Sequence, residues 1–129
     1  MYSFSIRSWK KLNAPDVHSD IKRLLVEAIK DSPIDFSVIE TTRTLAQQKV
    51  NVKKGVSKTL KSKHIPQFTK SGLCEAVDIA PYPLDWQDLE RFRALAAHIK
   101  KKAAELNIPI TWGGDWKTLV DMPHYELKN

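Results

Sequence analysis

"EAVDIAPYPLDWQDLERFRALAAHIKKKAAELNIPITWGGDW", residues 75–116, is the stretch whose reading decides the fold. Its first six residues set Val77 and Ile79 around Asp78 and read as a short strand, closed by Pro81 and Pro83. The period then changes. Trp86, Leu89, Phe92, Leu95, Ile99, Ala103 and Leu106 recur at helical steps, predicting a helix over 85–106 with Asp85 and Asp88 at its positive end. After Pro109 come a short strand, "ITW", and a Gly-Gly-Asp turn.

Downstream, residues 124–127 read as a last strand or extended segment. Upstream, Val17, Ile21, Leu24, Leu25, Ala28 and Ile29 share one helical face, and the "DSP" at 31–33 stops the run. "IDFSVIE", residues 34–40, alternates around Phe36 and Val38 as a buried strand and ends in Thr41, Thr42 and Arg43. Residues 44–55 predict a helix with Thr44 and Gln47 spaced as a capping box and Gly55 as its exit. Residues 56–75 have no period and read as a long loop of the kind that is often functional. The first dozen residues read as an arm or short strand anchored by Phe4, Ile6 and Trp9. Helices mixed with short strands favour an α+β fold, a small antiparallel sheet packed with about three helices, over a doubly wound sheet.

A chain of 129 residues is economically one domain, and 42% hydrophobic with 28% charged residues is the composition of a folded protein rather than a disordered one. The lone cysteine, Cys74, excludes an internal disulfide and a Cys-based zinc knuckle, so a metal here needs His and carboxylate ligands. The N-terminus carries no signal-peptide pattern and no run is long enough to span a membrane, so synthesis in the cytoplasm and no stable membrane insertion are expected. A formal charge of +6 favours polyanionic surroundings without choosing among nucleic acid, anionic lipid and wall polymers.

His64, Asp78 and His124 are candidate metal ligands, because two imidazoles and a carboxylate hold zinc while leaving a fourth position for water, although each His taken alone reads more readily as a surface or hydrogen-bonded residue. Asp78 lies between Val77 and Ile79, where an unpaired carboxylate is costly to bury. Asp121, three residues before His124 in "VDMPHYEL", is placed to accept a proton as a base, or else simply caps a turn. Arg43 is a candidate donor to an oxyanion or a substrate carboxylate, or a surface ion pair. Glu126, two residues from His124, either hydrogen-bonds that imidazole or faces solvent. Glu40 and Glu75 are weaker carboxylate rivals. Trp112 and Trp116 flank Gly113, Gly114 and Asp115, where an indole forms either a ligand wall or core.

Five segments in order, "TTRTLAQQK", "GVSKTLKSKH", "EAVDIAPYP", "ITWGGDW" and "DMPHYEL", resemble the zinc L-alanyl-D-glutamate endopeptidases of phage lysis systems, within the wider group of D-Ala-D-Ala metallopeptidases. The resemblance runs from about His18 to Leu127, and the family hallmark falls on Ser62, His64, Ala76, Asp78, Asp121 and His124. It implies that His64, Asp78 and His124 bind zinc, that Asp121 is the general base, and that Arg43 steadies developing negative charge. Ser62, Trp112, Asp115 and Glu126 are weaker candidates for substrate contact or ligand support. The resemblance further implies a D-Ala-D-Ala metallopeptidase-like fold, with residues 1–129 a single catalytic domain and no separate wall-binding domain. Its implied substrate is bacterial peptidoglycan, met as a monomer in the periplasm or wall after membrane permeabilisation.

His64 and Asp78 are fourteen residues apart, twice the family's usual interval, and Cys74 stands where a Gly is usual. The extra "PQFTKSG" segment must therefore bulge out, a change that costs little closure entropy. Cys74 itself reads as a small buried hydrophobe. Two other readings remain at this point: a D-Ala-D-Ala carboxypeptidase using the same site, and a non-catalytic basic module binding wall glycan or nucleic acid. Against nucleic acid, the lysines are scattered over several predicted elements.

Overall fold

Among the described residues four short strands make one antiparallel sheet in the order β1-β2-β4-β3: β1 Phe36–Glu40, β2 Ala76–Pro81, β3 Ile110–Trp112 and β4 His124–Leu127. The computed structural model describes residues 1–55 and 62–129. Side chains alternate across the sheet, so Val77, Ile79, Tyr125 and Leu127 face a core shared with helices α2 (Ser19–Lys30) and α4 (Leu89–Leu106). The opposite face carries Asp78 beside its cross-strand partner His124, with Glu126 opposite Ala76. The small Ala76 and Ala80 flank Asp78 on that face and leave room for larger groups above it.

A register shift between Val38 and Glu40 decides what β1 adds. Val38 pairs with Ile79 and is buried in the core, whereas Glu40, two residues on, pairs with Asp78. Regular alternation would have aimed Glu40 into the core; the extra residue, Ile39, turns it to the same side as Asp78.

The N-terminus corrects the expectation of an arm or strand. Residues Ile6–Leu12 form helix α1, capped by Ser5, whose side chain accepts from the Ser8 amide. Ile6 and Trp9, expected as anchors, are 76% and 45% exposed, while Leu12 and Ser8 are buried and Phe4 packs edge-on against Phe36. Among the described residues four α-helices accompany the sheet, in keeping with the expected α+β fold of a small antiparallel sheet and about three helices, α1 being the addition. Ser8 Oγ accepts from the Val38 amide and Thr41 Oγ1 donates to the Lys11 carbonyl, so α1 fixes the exit of β1.

Helix α3 (Leu45–Lys53) starts as expected at Thr44, which accepts from the Gln47 amide, but the box is half formed: the Gln47 side chain donates to Asn51 instead. Helix α4 begins four residues later than the spacing predicts. Asp88 is its cap, because Asp85 is spent on the Gln87 amide in the preceding turn, and Trp86 stacks on Phe92 from outside the helix. Of the long loop, residues 56–61 lie outside the described residues. The remainder, 62–75, holds a 3-10 turn at Pro66–Phe68 and is laced to its surroundings: Thr69 Oγ1 donates to the carbonyls of Pro66 and Leu73, and Cys74 exchanges backbone hydrogen bonds with Asp16 and His18.

Candidate metal centre

The sheet supplies two of the three candidate ligands and the laced loop the third. Asp78 and His124 face each other across the β2–β4 ladder, with His124 Nδ1 3.2 Å from Asp78 Oδ1. His64, buried at 1% exposure, brings Nε2 to 3.1 Å from the same oxygen. The fourteen-residue interval is therefore closed, with the extra segment folded outside. One donor atom from each residue lies within 4.8 Å of the other two, near the reach of a single ion with bonds of about 2.0–2.2 Å.

The chemistry of the donors agrees with a cation. His64 Nδ1 lies 2.5 Å from the Thr41 carbonyl, which can only accept, so Nδ1 carries the hydrogen. His124 Nε2 lies 2.8 Å from Glu126 Oε1 and likewise donates. In the neutral rings, both remaining nitrogens turn lone pairs toward a carboxylate. Three acceptors converging on one point need a positive charge, either protons on the rings or a metal ion, and fixing the far nitrogen is how proteins prepare a ligating imidazole.

Without metal the protons stand in. Burial opposes charge on His64, but the hydrogen bonds to Asp78 and Cys74 outweigh it and raise its pKa to about 10. His124 is raised in the same way, burial being outweighed by Asp78 and Glu126. Burial pushes Asp78 up, yet the two imidazoles hold it well below the usual carboxylate range. Asp121 moves the other way: burial and the negative Asp78 raise it, against the opposing pull of His124, His64 and Arg43.

Among the described residues Asp121 is fixed through its backbone. Its amide donates to the Gly113 carbonyl at 3.0 Å and its carbonyl accepts from the His124 amide at 3.1 Å. A Cβ at Gly113 would lie 2.4 Å from the Asp121 oxygen and 3.0 Å from the His124 Cβ, so only glycine lets the Gly-Gly-Asp turn press against this segment. Arg43 leaves the bulged end of β1, and its amide donates to the His64 carbonyl. Its guanidinium is clamped: Nε and Nη2 donate to Glu40 Oε1, and Nη1 donates to the buried Gln48 at 2.6 Å. Among the described residues this engages three of the five N–H groups a guanidinium carries.

The remaining candidates separate. Ser62 Oγ accepts from the His64 amide and shapes the turn before that ligand. Trp112 lies in the core, stacked on Tyr125 with its indole N–H donated to the Met122 carbonyl, and Asp115 pairs with Lys100. The indole at the site is that of Trp116, tilted 5.1 Å from the His124 ring. Glu40 serves Arg43, and Glu75 turns away to Ser71 and Asn129. Sequence reasoning missed Gln48 and the Thr41 carbonyl as supports. A polar residue on the buried side of α3 was the available signal for Gln48; a backbone carbonyl leaves none.

Comparison with known proteins identifies the family of the chain. A family model described as phage L-alanyl-D-glutamate peptidase matches residues 1–128. The L-alanyl-D-glutamate peptidase of Escherichia phage T5 is 33% identical over 133 residues, covering 98% of this chain and 90% of the relative. That of Listeria phage A118 is 30% identical over 126 residues, covering 98% of this chain and 41% of the longer relative. The crystal structure of the Serratia marcescens L-Ala D-Glu endopeptidase ChiX superposes with a TM-score of 0.82 at 34% identity, covering 98% of this chain and 90% of that one. With a metal-ready His-Asp-His cluster on a matching α+β fold, the chain belongs to the phage L-alanyl-D-glutamate peptidases, a family of peptidoglycan-cleaving metallopeptidases.

Proposed function

We propose that this chain hydrolyses the L-Ala–D-Glu bond of peptidoglycan stem peptides with zinc held by His64 Nε2, Asp78 and His124 Nδ1, and that the reaction contributes to host lysis. The observation that carries this reading is the convergence of three acceptors on one point, with both far ring nitrogens already donating. A bound zinc ion supplies Lewis-acid polarisation of the scissile carbonyl and lowers the pKa of a water molecule. Asp121 accepts the proton from the attacking water and delivers it to the leaving amine; its raised pKa suits both halves of that task. Arg43, held by Glu40 and Gln48, directs its remaining N–H groups at the oxyanion, and a rigid clamp keeps that donor in place before charge develops. Trp116 walls the site beside His124.

Residues 1–129 act as one catalytic unit in this reading, as a monomer and without nucleic acid. One continuous core running from Leu12 to Leu127 supports it. Access to the wall follows permeabilisation of the membrane by another agent; no helix among the described residues is long and apolar enough to cross a membrane.

Digestion of purified sacculi, with and without chelator, tests the reading when new amino termini are identified by mass spectrometry. New D-Glu termini that vanish with chelator and return with zinc are expected. Release of terminal D-Ala without them would assign the carboxypeptidase reaction, and no cleavage by metal-free and zinc-loaded chain alike would return the basic binding module.

A further inference from the structure

We propose that Lys63 is a positioning residue for the metal site, holding Glu126 against His124 and so fixing which ring nitrogen His124 turns toward Asp78. The inference rests on the zinc reading above.

The main chain at 63–64 is pinned from two sides: the Lys63 carbonyl accepts from the Glu75 amide at 2.9 Å and the His64 carbonyl from the Arg43 amide at 2.8 Å. From this fixed base the Lys63 side chain crosses the start of β2 to the end of β4. There Nζ donates to the Leu127 carbonyl at 2.5 Å and to Asn129 Oδ1 at 3.4 Å, and lies 3.5 Å from Glu126 Oε2. An ammonium has three N–H donors, and three acceptors surround this one.

Glu126 is the bridge. Its Oε1 accepts from His124 Nε2 at 2.8 Å while Oε2 faces the ammonium. A carboxylate held at one oxygen only can rotate about its terminal bond toward water; held at both, it presents a fixed acceptor to the imidazole. The Lys63 and Glu126 side chains are 27% and 20% exposed, so the pair is better sheltered from water and salt than a surface ion pair. Lys63 also directly precedes His64. One residue therefore places a ligand through its backbone and disciplines another through its side chain, coupling the two histidines that come from distant parts of the chain.

The experiment is zinc affinity by competition with a chromophoric chelator for the wild type, Lys63→Met, Lys63→Arg, Glu126→Gln and the Lys63→Met/Glu126→Gln pair, alongside cobalt absorption spectra and unfolding midpoints. Loss of an outer hydrogen-bond partner typically costs about 10- to 100-fold in metal affinity. Glu126→Gln is expected to fall in that range, and Lys63→Met, one bond further out, at about its lower, tenfold end. Lys63→Met should shift the cobalt spectrum in the same sense as Glu126→Gln. Lys63→Arg should recover most of the affinity, because it keeps charge and donors on a long stem. The decisive comparison is the double variant, which should bind zinc no more weakly than Glu126→Gln alone if Lys63 acts through Glu126.

A Lys63→Met chain that binds zinc as tightly as wild type, or one whose cost is undiminished in the Glu126→Gln background, overturns the proposal. So does a lowered unfolding midpoint with unaltered zinc affinity, which would leave Lys63 as a fastener of β4. A wild-type chain that binds no zinc would instead overturn the metal reading, and this inference with it.

Discussion

Asp78 and Asp121 are interacting carboxylates whose surroundings push them in opposite directions. Asp78 is held ionised by two imidazoles, whereas Asp121 is raised by burial and by Asp78 itself, and in the proposed zinc reading such divergence suits the one to bind metal and the other to carry a proton. Asp121→Ala should therefore lower kcat by about 10²- to 10⁴-fold, the usual contribution of a general base. Zinc stoichiometry should persist, and full activity would remove Asp121 from the proton path. Arg43→Lys keeps the charge but not the planar fork that Glu40 and Gln48 clamp, so kcat should drop by roughly 10²-fold with less change in KM. The histidines give a pH dependence of definite sign. In the metal-free chain the pKa of His64 stands at about 10 against an ordinary 6.5, so the proton on Nε2 must leave before a cation can take its place. Zinc affinity should accordingly climb from neutral pH toward 10, with protons released on binding, as calorimetry in buffers of differing ionisation enthalpy would count. By the same linkage the stability that this paired imidazolium lends the metal-free fold is complete below pH 6.5 and is lost as pH rises through about 10.

At the scale of elements, the site depends on two irregularities: the bulge in β1 that turns Glu40 toward Asp78 and the glycine contact between the Gly113–Asp115 turn and the Asp121–His124 segment. The second makes a sharp prediction. A methyl at Gly113 would meet the Asp121 backbone oxygen at 2.4 Å, and neither side can yield without moving Asp121 and His124 together. Gly113→Ala should cost about 1–3 kcal/mol in denaturant unfolding, the range for overpacking, and should weaken zinc binding as well. Gly55→Ala is the control: it is strained by its φ of +79° but has nothing within 4 Å, so it should lose stability without losing zinc affinity. The elements themselves were unequally legible. Helix α2 and the strand at Phe36 announced themselves because burial on one side imposes a period, and the strand at Asp78, buried on both faces, did so as a short apolar run closed by prolines. Helix α1 did not, since its apolar Ile6 and Trp9 are exposed, Leu12 alone of its apolar side chains is buried in the core, and the rest of its hold on the sheet runs through polar groups, Ser8 to Val38 and Thr41 to Lys11.

Across the whole molecule, the candidate ligand set could be named before the fold was seen because five segments in order resemble a zinc peptidase family; taken alone, each His read more readily as a surface or hydrogen-bonded residue. What could not be read was support that leaves no local pattern: the Thr41 carbonyl under His64, the Gln48 clamp on Arg43, and the exchange of roles in which Trp112 entered the core and Trp116 took the site. These depend on which distant elements meet. The charge of +6 is legible at once but acts only at the scale of the whole surface. Part of the basic complement is spent locally, Lys100 on Asp115, Lys102 on Asp31 and Glu105, and Lys30 on Glu27. The remaining excess should draw the enzyme to anionic wall polymers by a long-range field, screened over about 10 Å at 0.1 M salt and about 3 Å at 1 M. Adsorption to sacculi should therefore weaken several-fold across that range, and with it the rate on sacculi at limiting enzyme. Cleavage of a short soluble stem peptide requires no such capture and should change far less, because the groups that act on it are buried and close to one another. Measuring both substrates over one salt series separates the two effects: a parallel decline would place the salt sensitivity in the site itself, and an unchanged rate on sacculi would show that the positive charge takes no part in finding the wall.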